Sequence, residues 1–571
     1  MIQERLSITV AGSGGAGVVT VGNILLEAAG LTGWFARLSR SSGPQIRGGE
    51  IAATVCLSSR PIRSEAAHCD LLLALDWKNI SRFADEMVLN RHSMVISDPA
   101  QGEVPERIRD SGAHYLAMPF KELAAQAGGT RTNMIALGVA AQLAGLSRES
   151  VERTLEKTFH GDRRFVTGMA GVDAGIAAAL PVPSLDLPSA PTPSQAERWS
   201  ITGNQAAALG ALRGGVRFAA GYPITPATEV LEWLALALPK LGGVFMQAED
   251  ELAAVNQIIG ASFGGVPAIT ATSGPGLALM MESIGLAVAA EVPIVVIDVM
   301  RGGPATGIPT KSEQSDLNIA LHGLPGDAPH LVIAPTSVND CLDTTHWAVT
   351  LSEWLQAPAI VLSNQALGQT RVIDSKPAPR EWATERKIPD QADDTYQRYQ
   401  LTADSVSPMT LPGMPGGQYT AEGLEHDESG IPSVAAGNHL HQLDKRCNKL
   451  ADFDYGDYWA DVEGAGSTAI ITWGATVGAA RDLLARSPEF DGGLRLIALR
   501  LLAPEQPGPM AKMLHGVKRI LIVEQSHGGQ FYRYLKSCYD LSVPTRSFCR
   551  PGPVPILAVE IATWLQQWDS S

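Results

Sequence analysis

The sequence predicts an α/β fold built as three α/β domains with mainly parallel sheets. Three observations lead there. Short apolar runs repeatedly end in a polar or glycine-rich cluster that opens a helical segment, the alternation expected of parallel strands joined by crossover helices. A hydrophobic content of 45% against 18% charged residues fits a globular chain with sizeable cores. A length of 571 residues with one strongly proline-rich interruption fits roughly 3–4 domains better than one.

The first domain is expected over residues 1–180. Leu6 to Ala11 reads as a strand that runs into GSGGAG, with glycines at 12, 14 and 17, and Val18 to Ala29 reads as a helix. Strand, GxGxxG, helix is the context that gives this motif meaning, because backbone amides at the helix start attract an anion. A dinucleotide site also wants an acidic residue at the end of the second strand. That strand, about Trp34 to Leu38, carries Arg37 and Arg40 instead. Three readings stay open: a dinucleotide, another phosphate-bearing ligand, or a tight structural turn. Arg47, beside two glycines, suits a phosphate or carboxylate contact or a solvated turn. Asp70 to Ala74 and Met94 to Ile96 read as buried strands, Arg131 to Gly145 and Arg148 to Phe159 as helices.

Residues 181–195 follow as a linker. Five prolines between Pro181 and Ser194 forbid a regular helix or a central strand, which makes this the clearest boundary in the chain.

The second domain, 196–370, holds the densest polar signals. Gly203 to Arg213 reads as a helix and Phe218 to Tyr222 as a strand end, followed by Tyr-Pro-Ile-Thr-Pro. Pro226 keeps Thr225 out of the helical region and can open the next helix. Thr225 is either a helix cap or a rigidly held functional hydroxyl. Val244 to Gln247 is a strand, after which Glu249, Asp250 and Glu251 open an apolar helix, Leu252 to Phe263. Carboxylates there serve the helix dipole. Glu251, followed directly by Leu252, Ala253, Ala254 and Val255, can also face an apolar wall, where a carboxyl group is able to hold or pass a proton. ATSGPG and the strand Ile294 to Val299 come next, then MRGGPATGIPTKSEQSD. Loops after parallel strands line the ligand crevice of such a sheet, so Thr225, Glu251, Arg301 and Thr310 are expected to meet there.

Residues 371–455 are rich in proline, glycine and charge and read as a connecting segment or subunit contact. The last domain, 456–571, returns to α/β character in AIITWG, LRLIALRLLAP and KRILIVEQ, read as three parallel-type strands. Glu524, Gln525 and His527 sit at a strand end, as ligand contacts or as interface or loop structure. His426, His439 and His441 lie in a loop-rich region without a matching metal-ligand set.

Composition narrows the classes. A net charge of −15 argues against nucleic-acid binding, which needs clustered Lys and Arg. The N-terminus lacks a basic region followed by an apolar core, so no secretory signal is expected. The stretch Leu286 to Met300 is too short and too broken by Glu291, Pro293 and Asp298 to span a bilayer. None of the six cysteines forms a CxxC pair, so neither a zinc ribbon nor a ferredoxin-like cluster has a ligand set, and reduced thiols in a cytoplasmic protein are expected.

The segment around Glu251 resembles the pyrimidine-binding domain of thiamine-diphosphate enzymes, in which a glutamate opens an Ala-rich helix with glycine nine positions on. Glu251 and Gly260 have that spacing. YPITP, EDELAA, ATSGPG and the R-x-G-P-x-T-G-x-P-T run from Arg301 together resemble the α subunit of the 2-oxoacid:ferredoxin oxidoreductases, especially those acting on 2-oxoglutarate. The first domain resembles their γ domain, fused here to the N-terminus, and the last resembles a transketolase C-terminal domain.

The resemblance implies roles. Glu251 hydrogen-bonds the aminopyrimidine N1′ and favours the imino tautomer, whose nitrogen takes the thiazolium C2 proton. Arg301 binds the substrate carboxylate, and Thr225 contacts substrate or cofactor. Thr310 lies near the substrate's variable end, with Lys311 either reaching a distal carboxylate or standing solvated. Tyr222, Pro223, Ile224 and Ser273 are further cofactor contacts. Gly12, Gly14, Gly17 and Arg47 are candidates for coenzyme A. The chain has no GDG motif for Mg²⁺, so the resemblance puts Mg²⁺ and a [4Fe-4S] cluster on a β subunit in an (αβ)₂ assembly, with ferredoxin as electron partner. The expected reaction is the oxidative decarboxylation of 2-oxoglutarate to succinyl-CoA and CO2, reversible and so able to fix CO2. Pyruvate, branched-chain or aryl 2-oxoacids are alternative substrates, and a non-catalytic scaffold is the alternative of another class.

Overall fold

The computed structural model describes residues 4–43, 49–78, 80, 86–189, 191, 197–393 and 395–569. They form two compact units, Met1–Thr202 with Gln369–Pro377, and Gly203–Gly368 with Ala378–Ser571.

The first unit is organised on an eight-stranded sheet in the order His114–Ala117, Met94–Ser97, Leu71–Ala74, Leu6–Ser13, Glu50–Ser58, Phe35–Ser42, Arg371–Ser375, Arg198–Thr202. The first four strands are mutually parallel and every later pairing is antiparallel. The Val18–Leu31 helix packs Val21, Ile24, Leu25 and Ala28 on the sheet at i, i+3, i+4, i+7 spacing. Phe35–Ser42 does not lie beside Leu6–Ser13, as a dinucleotide fold requires. Glu50–Ser58 intervenes, antiparallel to both. The sheet also takes in two strands from beyond the proline-rich stretch, and these cover the edge that Phe35–Ser42 would otherwise expose.

The second unit contains two sheets. The larger has the order Leu501–Ala503, Leu331–Ile333, Ala359–Asn364, Val295–Met300, Ala268–Thr272, Phe218–Gly221, Val244–Gln247. All its pairings are parallel except the first. From Phe218–Gly221 the chain moves outward to Val244–Gln247, then returns to the other side at Ala268–Thr272 and continues away. Connections therefore diverge between Phe218–Gly221 and Ala268–Thr272, which leaves a crevice at their C-terminal ends.

The smaller sheet has the order Ala460–Glu463, Leu494–Leu499, Thr468–Trp473, Arg519–Glu524, Thr545–Cys549, with the last four parallel. The run LRLIALRLLAP, read as one strand, divides at Arg500, and Leu501–Ala503 joins the larger sheet. Arg500 is buried and ion-paired to Asp340 and Asp461, so the chain turns there around a fixed charge.

The 371–455 segment does more than connect. It contains a helix that its weak periodicity does not announce, Ala436–Ala451, whose Lys445 and Lys449 bond the buried Glu291 carboxylate at 2.6 and 3.0 Å. Arg398, also buried, donates to the Glu291 carbonyl at 2.9 Å. Among the described residues no helix is long and apolar enough to cross a membrane.

Candidate functional site

Four neighbouring strands of the larger sheet deliver polar residues to one edge. Thr225 follows Phe218–Gly221, Glu251 follows Val244–Gln247, Ser273 follows Ala268–Thr272 and Arg301 follows Val295–Met300. The crevice lies where the connections diverge, so the backbone at these ends is not covered by its own crossovers.

Glu251 is the first residue of the Glu251–Phe263 helix and is buried. The capping task falls to its neighbour: Asp250 accepts from Ala253 N at 2.7 Å. Glu251 is thereby released from closing the helix end. Its side chain lies against the turn that starts the Gly274–Ala289 helix. A Cβ on Gly276 would stand 2.7 Å from Glu251 Oε1 and 2.1 Å from Thr272 Oγ1, so the close approach requires glycine there. Gly260, nine positions on, is exposed, with nothing within 4 Å of a Cβ built on it.

Arg301 is buried and donates from Nη1 to the Thr225 carbonyl at 2.6 Å, joining two of the expected residues. Its Nε has no partner among the described residues. Burial lowers its pKa, opposed by Asp316 and Asp298. Thr225 is not a helix cap, because the following helix begins at Thr228 after Ala227. Pro226 is fixed by Asn204, which donates to its carbonyl at 3.1 Å. Tyr222 and Pro223 are exposed and Ile224 is half-buried. Ser273 is fully buried, makes no cap bond to its own helix, and its Oγ has no partner among the described residues.

The loop after Arg301 folds back on itself. Gly302 N donates to the Lys311 carbonyl at 2.9 Å, and Ile308 N to the Gly302 carbonyl at 2.7 Å. Gly307 has φ +55 and a Cβ there would lie 1.7 Å from the Gly302 oxygen, so this closure needs glycine. Thr310 and Lys311 are both buried, which overturns the solvated reading of Lys311. The C-terminal part of the same unit clamps the loop. Gln314 donates to the Trp473 carbonyl at 2.8 Å and accepts from Gln525 N at 2.7 Å, while Gly552 N donates to Glu313 at 3.0 Å.

Two acidic residues that the motifs do not single out lie here. Asp298, in the strand before Arg301, is fully buried, and Asp316 sits at the loop's end. Asp298 stands in register beside Thr272, and Asp316 lies over Gly274 two residues further on, so each carboxyl group feels the other. Burial first, then the Asp316 charge, holds Asp298 well above the usual carboxylate range. Burial also pushes Asp316 up to about 6, with the hydrogen bond from Asp298 pulling the other way. The available signal was an acidic residue inside an otherwise apolar run, since carboxylates are almost never fully buried unpaired.

The remaining candidates resolve locally. In the first unit, Gly17 has φ +87, and a Cβ on it would lie 2.0 Å from Asn133 Nδ2. Ser13 of the same loop donates through N and Oγ to Asp76, both at 2.9 Å, so a carboxylate stands beside Gly12 and Gly14. Arg47 lies outside the described residues. Glu524 accepts from Phe531 N and Tyr532 N, both at 2.9 Å, and so organises the start of the Gln530–Cys538 helix. His426 stacks on Tyr399 with centroids 3.5 Å apart, and His439 pairs with Glu425 at 2.6 Å. Among the described residues, no group of three or more His, Cys, Asp or Glu could hold a metal ion.

A buried glutamate against a glycine turn, with a partnerless buried hydroxyl nearby, fits the polar side of an aminopyrimidine ring. A buried guanidinium with one spare donor fits a carboxylate.

Comparison with known proteins finds two family models that match the chain. Residues 209–445 match the family model described as pyruvate flavodoxin/ferredoxin oxidoreductase, thiamine diphosphate-binding, and residues 7–178 match that of pyruvate ferredoxin/flavodoxin oxidoreductase. The 2-oxoacid:ferredoxin oxidoreductase subunit alpha of Saccharolobus solfataricus is 30% identical, over 93% of each chain. The 2-oxoglutarate synthase subunit KorA of Methanothermobacter marburgensis is 37% identical, over 59% of this chain and 90% of its own. The solved 2-oxoglutarate:ferredoxin oxidoreductase from Magnetococcus marinus, with 2-oxoglutarate, coenzyme A and succinyl-CoA bound, superposes with a TM-score of 0.92 at 32% identity, covering 99% of each chain.

Proposed function

The chain belongs to the 2-oxoacid:ferredoxin oxidoreductases as an α subunit with a fused N-terminal γ domain, and from that premise we propose that it acts on 2-oxoglutarate. With a β subunit it converts 2-oxoglutarate and coenzyme A to succinyl-CoA and CO2, passing two electrons to ferredoxin. The same site run backwards carboxylates succinyl-CoA. The observation that carries the reading is the meeting of Thr225, Glu251, Ser273 and Arg301 at one sheet edge. The substrate choice is supported by the KorA relatives and by the Magnetococcus marinus structure with 2-oxoglutarate bound.

Thiamine diphosphate, when bound, supplies the nucleophilic carbon and the electron sink for decarboxylation. Glu251, held against the Gly276 turn, would hold a proton at the cofactor's aminopyrimidine and so favour the tautomer that can act as base. Ser273 donates its spare hydroxyl to the cofactor, and the Tyr222-Pro223-Ile224 corner provides a rigid wall. Arg301 grips the substrate's 1-carboxylate, with Thr225 fixing the guanidinium from behind. Thr310 and Lys311 face the distal end, where a buried ammonium suits the second carboxylate of 2-oxoglutarate.

We assign Mg²⁺, the cofactor's diphosphate and the [4Fe-4S] cluster to the β subunit of an (αβ)₂ assembly. Among the described residues Val244–Gln247 is an unpaired sheet edge, with Val244 and Met246 about half exposed, and Leu252 beside it is as open. Such an apolar edge next to the site suits a permanent partner chain. The Gly12, Gly14 and Gly17 loop remains the candidate for the phosphates of coenzyme A, which would have to displace or outweigh Asp76. We place the complex in the cytoplasm, in keeping with six unpaired thiols.

Co-purification tests the assembly: a smaller brown chain bearing the cluster is expected. Assays with 2-oxoglutarate, pyruvate, branched-chain and aryl 2-oxoacids test the substrate. A kcat/KM for 2-oxoglutarate no greater than for pyruvate would overturn the assignment.

A further inference from the structure

The strand Val295–Met300 is wholly buried, yet its fourth residue is Asp298. Among the described residues neither Asp298 oxygen meets an N–H or O–H donor, and Asp316 Oδ2 is in the same position. Asp298 pairs in register with Thr272, and Asp316 lies over Gly274 two residues further on, which brings the two carboxyl groups to the same turn. Ionised carboxylates are acceptors only, so two of them cannot satisfy one another, whereas one proton between them gives a donor and an acceptor. The backbone allows this approach. A Cβ on Gly274 would lie 2.6 and 2.8 Å from the two Asp316 oxygens, so Asp316 rests directly on the start of the Gly274–Ala289 helix.

We propose that Asp298 and Asp316 form a one-proton carboxyl pair that sets the negative charge seen by Arg301, and so positions its guanidinium for the substrate carboxylate. The inference rests on the reading of Arg301 as that carboxylate's partner. Both are positioning residues, acting through Arg301.

The surroundings are few enough to name. Arg301 acts on both carboxyl groups. Glu313, on the loop, adds a negative charge near Asp316 and is itself tied to Gly552 N. The helix N-terminus at Gly274 contributes partial positive charge. Glu251 lies against Gly276, on the far side of that same turn. Ser315 Oγ, without a partner among the described residues, adjoins Asp316 in sequence. Fully protonated, the pair is neutral; it carries one negative charge after the first ionisation and two after the second. Each charge competes with the incoming carboxylate for Arg301. Burial pushes Asp316 up to about 6 and holds Asp298 well above the usual carboxylate range. With one proton and one charge the pair has one donor and one acceptor, which keeps Arg301 in place without neutralising it a second time.

The test uses the assembled complex with its β subunit. In the wild type, KM for 2-oxoglutarate should rise about fivefold to tenfold between pH 5 and 7.5, the scale of one unit charge in a partly screened site, without a matching step in kcat. In Asp298→Ala, Asp316 loses the donor that pulls it down, so the step should move to higher pH. In Asp316→Asn the step should vanish. A step left at the same pH in Asp298→Ala overturns the proposal. Infrared spectra supply a readout independent of turnover: a buried protonated-carboxyl band at pH 7, present in the wild type and lost in Asp298→Asn. Its absence from the wild type also overturns the pair. Arg301→Gln separates the two ideas. An unchanged KM there overturns the role of Arg301, and with it the pair's action on KM, while the infrared band would still report the shared proton.

Discussion

Arg301 donates from Nη1 to the carbonyl of Thr225 at 2.6 Å, tying together two loops whose residues are 76 positions apart. The bond uses one arm of the guanidinium and leaves Nε, also buried, without a partner among the described residues. A buried charged donor left unsatisfied is costly, so the arrangement waits for an acceptor. Arg301→Lys should raise KM for the 2-oxoacid about tenfold to a hundredfold, because an ammonium cannot hold Thr225 and a carboxylate in one plane. Steady-state kinetics in the assembled complex would check this, and an unchanged KM would remove Arg301 from substrate binding.

Glu251→Gln keeps the shape of the side chain and removes its acid–base chemistry. Turnover should fall at least about a hundredfold, the scale of general acid–base catalysis, while the assembly stays intact by gel filtration. Full activity in that variant would exclude Glu251 from proton handling.

Gly276→Ala probes the same residue from the other side. The added methyl would stand 2.1 Å from Thr272 Oγ1 and 2.7 Å from Glu251 Oε1, so Glu251 must move. We expect a loss of stability of about 1–3 kcal/mol from overpacking, with a loss of activity larger than that of a matched change away from the site. Gly285→Ala, in the same helix, serves as that control, since a Cβ there meets nothing closer than 3.6 Å.

Glu291 is fully buried between Lys445 and Lys449. Glu291→Gln leaves two buried ammonium groups without their counter-charge, and should cost about 3–5 kcal/mol in unfolding experiments. A pH signature accompanies it. Burial pushes Lys449 down to about 8 in the folded chain, against an ordinary 10.5. Between those values the unfolded chain binds more protons, so stability rises with pH across that window, and the cost of the buried charge is fully present below about 8. Lys449→Met should flatten the midpoint-versus-pH curve above pH 8. A curve of the same slope as the wild type's would refute the assignment.

Much of this site was legible in the sequence. The YPITP corner, the glutamate helix and the ATSGPG turn each end an apolar run, and strand-to-helix corners of one parallel sheet share an edge. Thr225, Glu251 and Arg301 were found in that way. What stayed hidden depended on partners far along the chain. Asp250 capping the helix in place of Glu251 is a matter of backbone dihedrals. Asp298 was visible only as an interruption of an apolar stretch, and no local pattern brings Asp316 to the same turn. LRLIALRLLAP read as one strand because both halves are apolar; that Arg500 ends one and starts the other is set by Asp340 and Asp461. In the first unit, local alternation identified the strands, but no local pattern reveals that Glu50–Ser58 slips between two strands that precede it.

The eight-stranded sheet draws its last two strands from residues 198–202 and 371–375. Cutting the chain within the proline-rich stretch would therefore release a fragment with Phe35–Ser42 bare along one side, a sticky ribbon inclined to self-associate. The N-terminal region is woven into the chain rather than strung onto it. Anyone exchanging it for a freestanding homologue should carry both borrowed strands across, or supply a substitute flank.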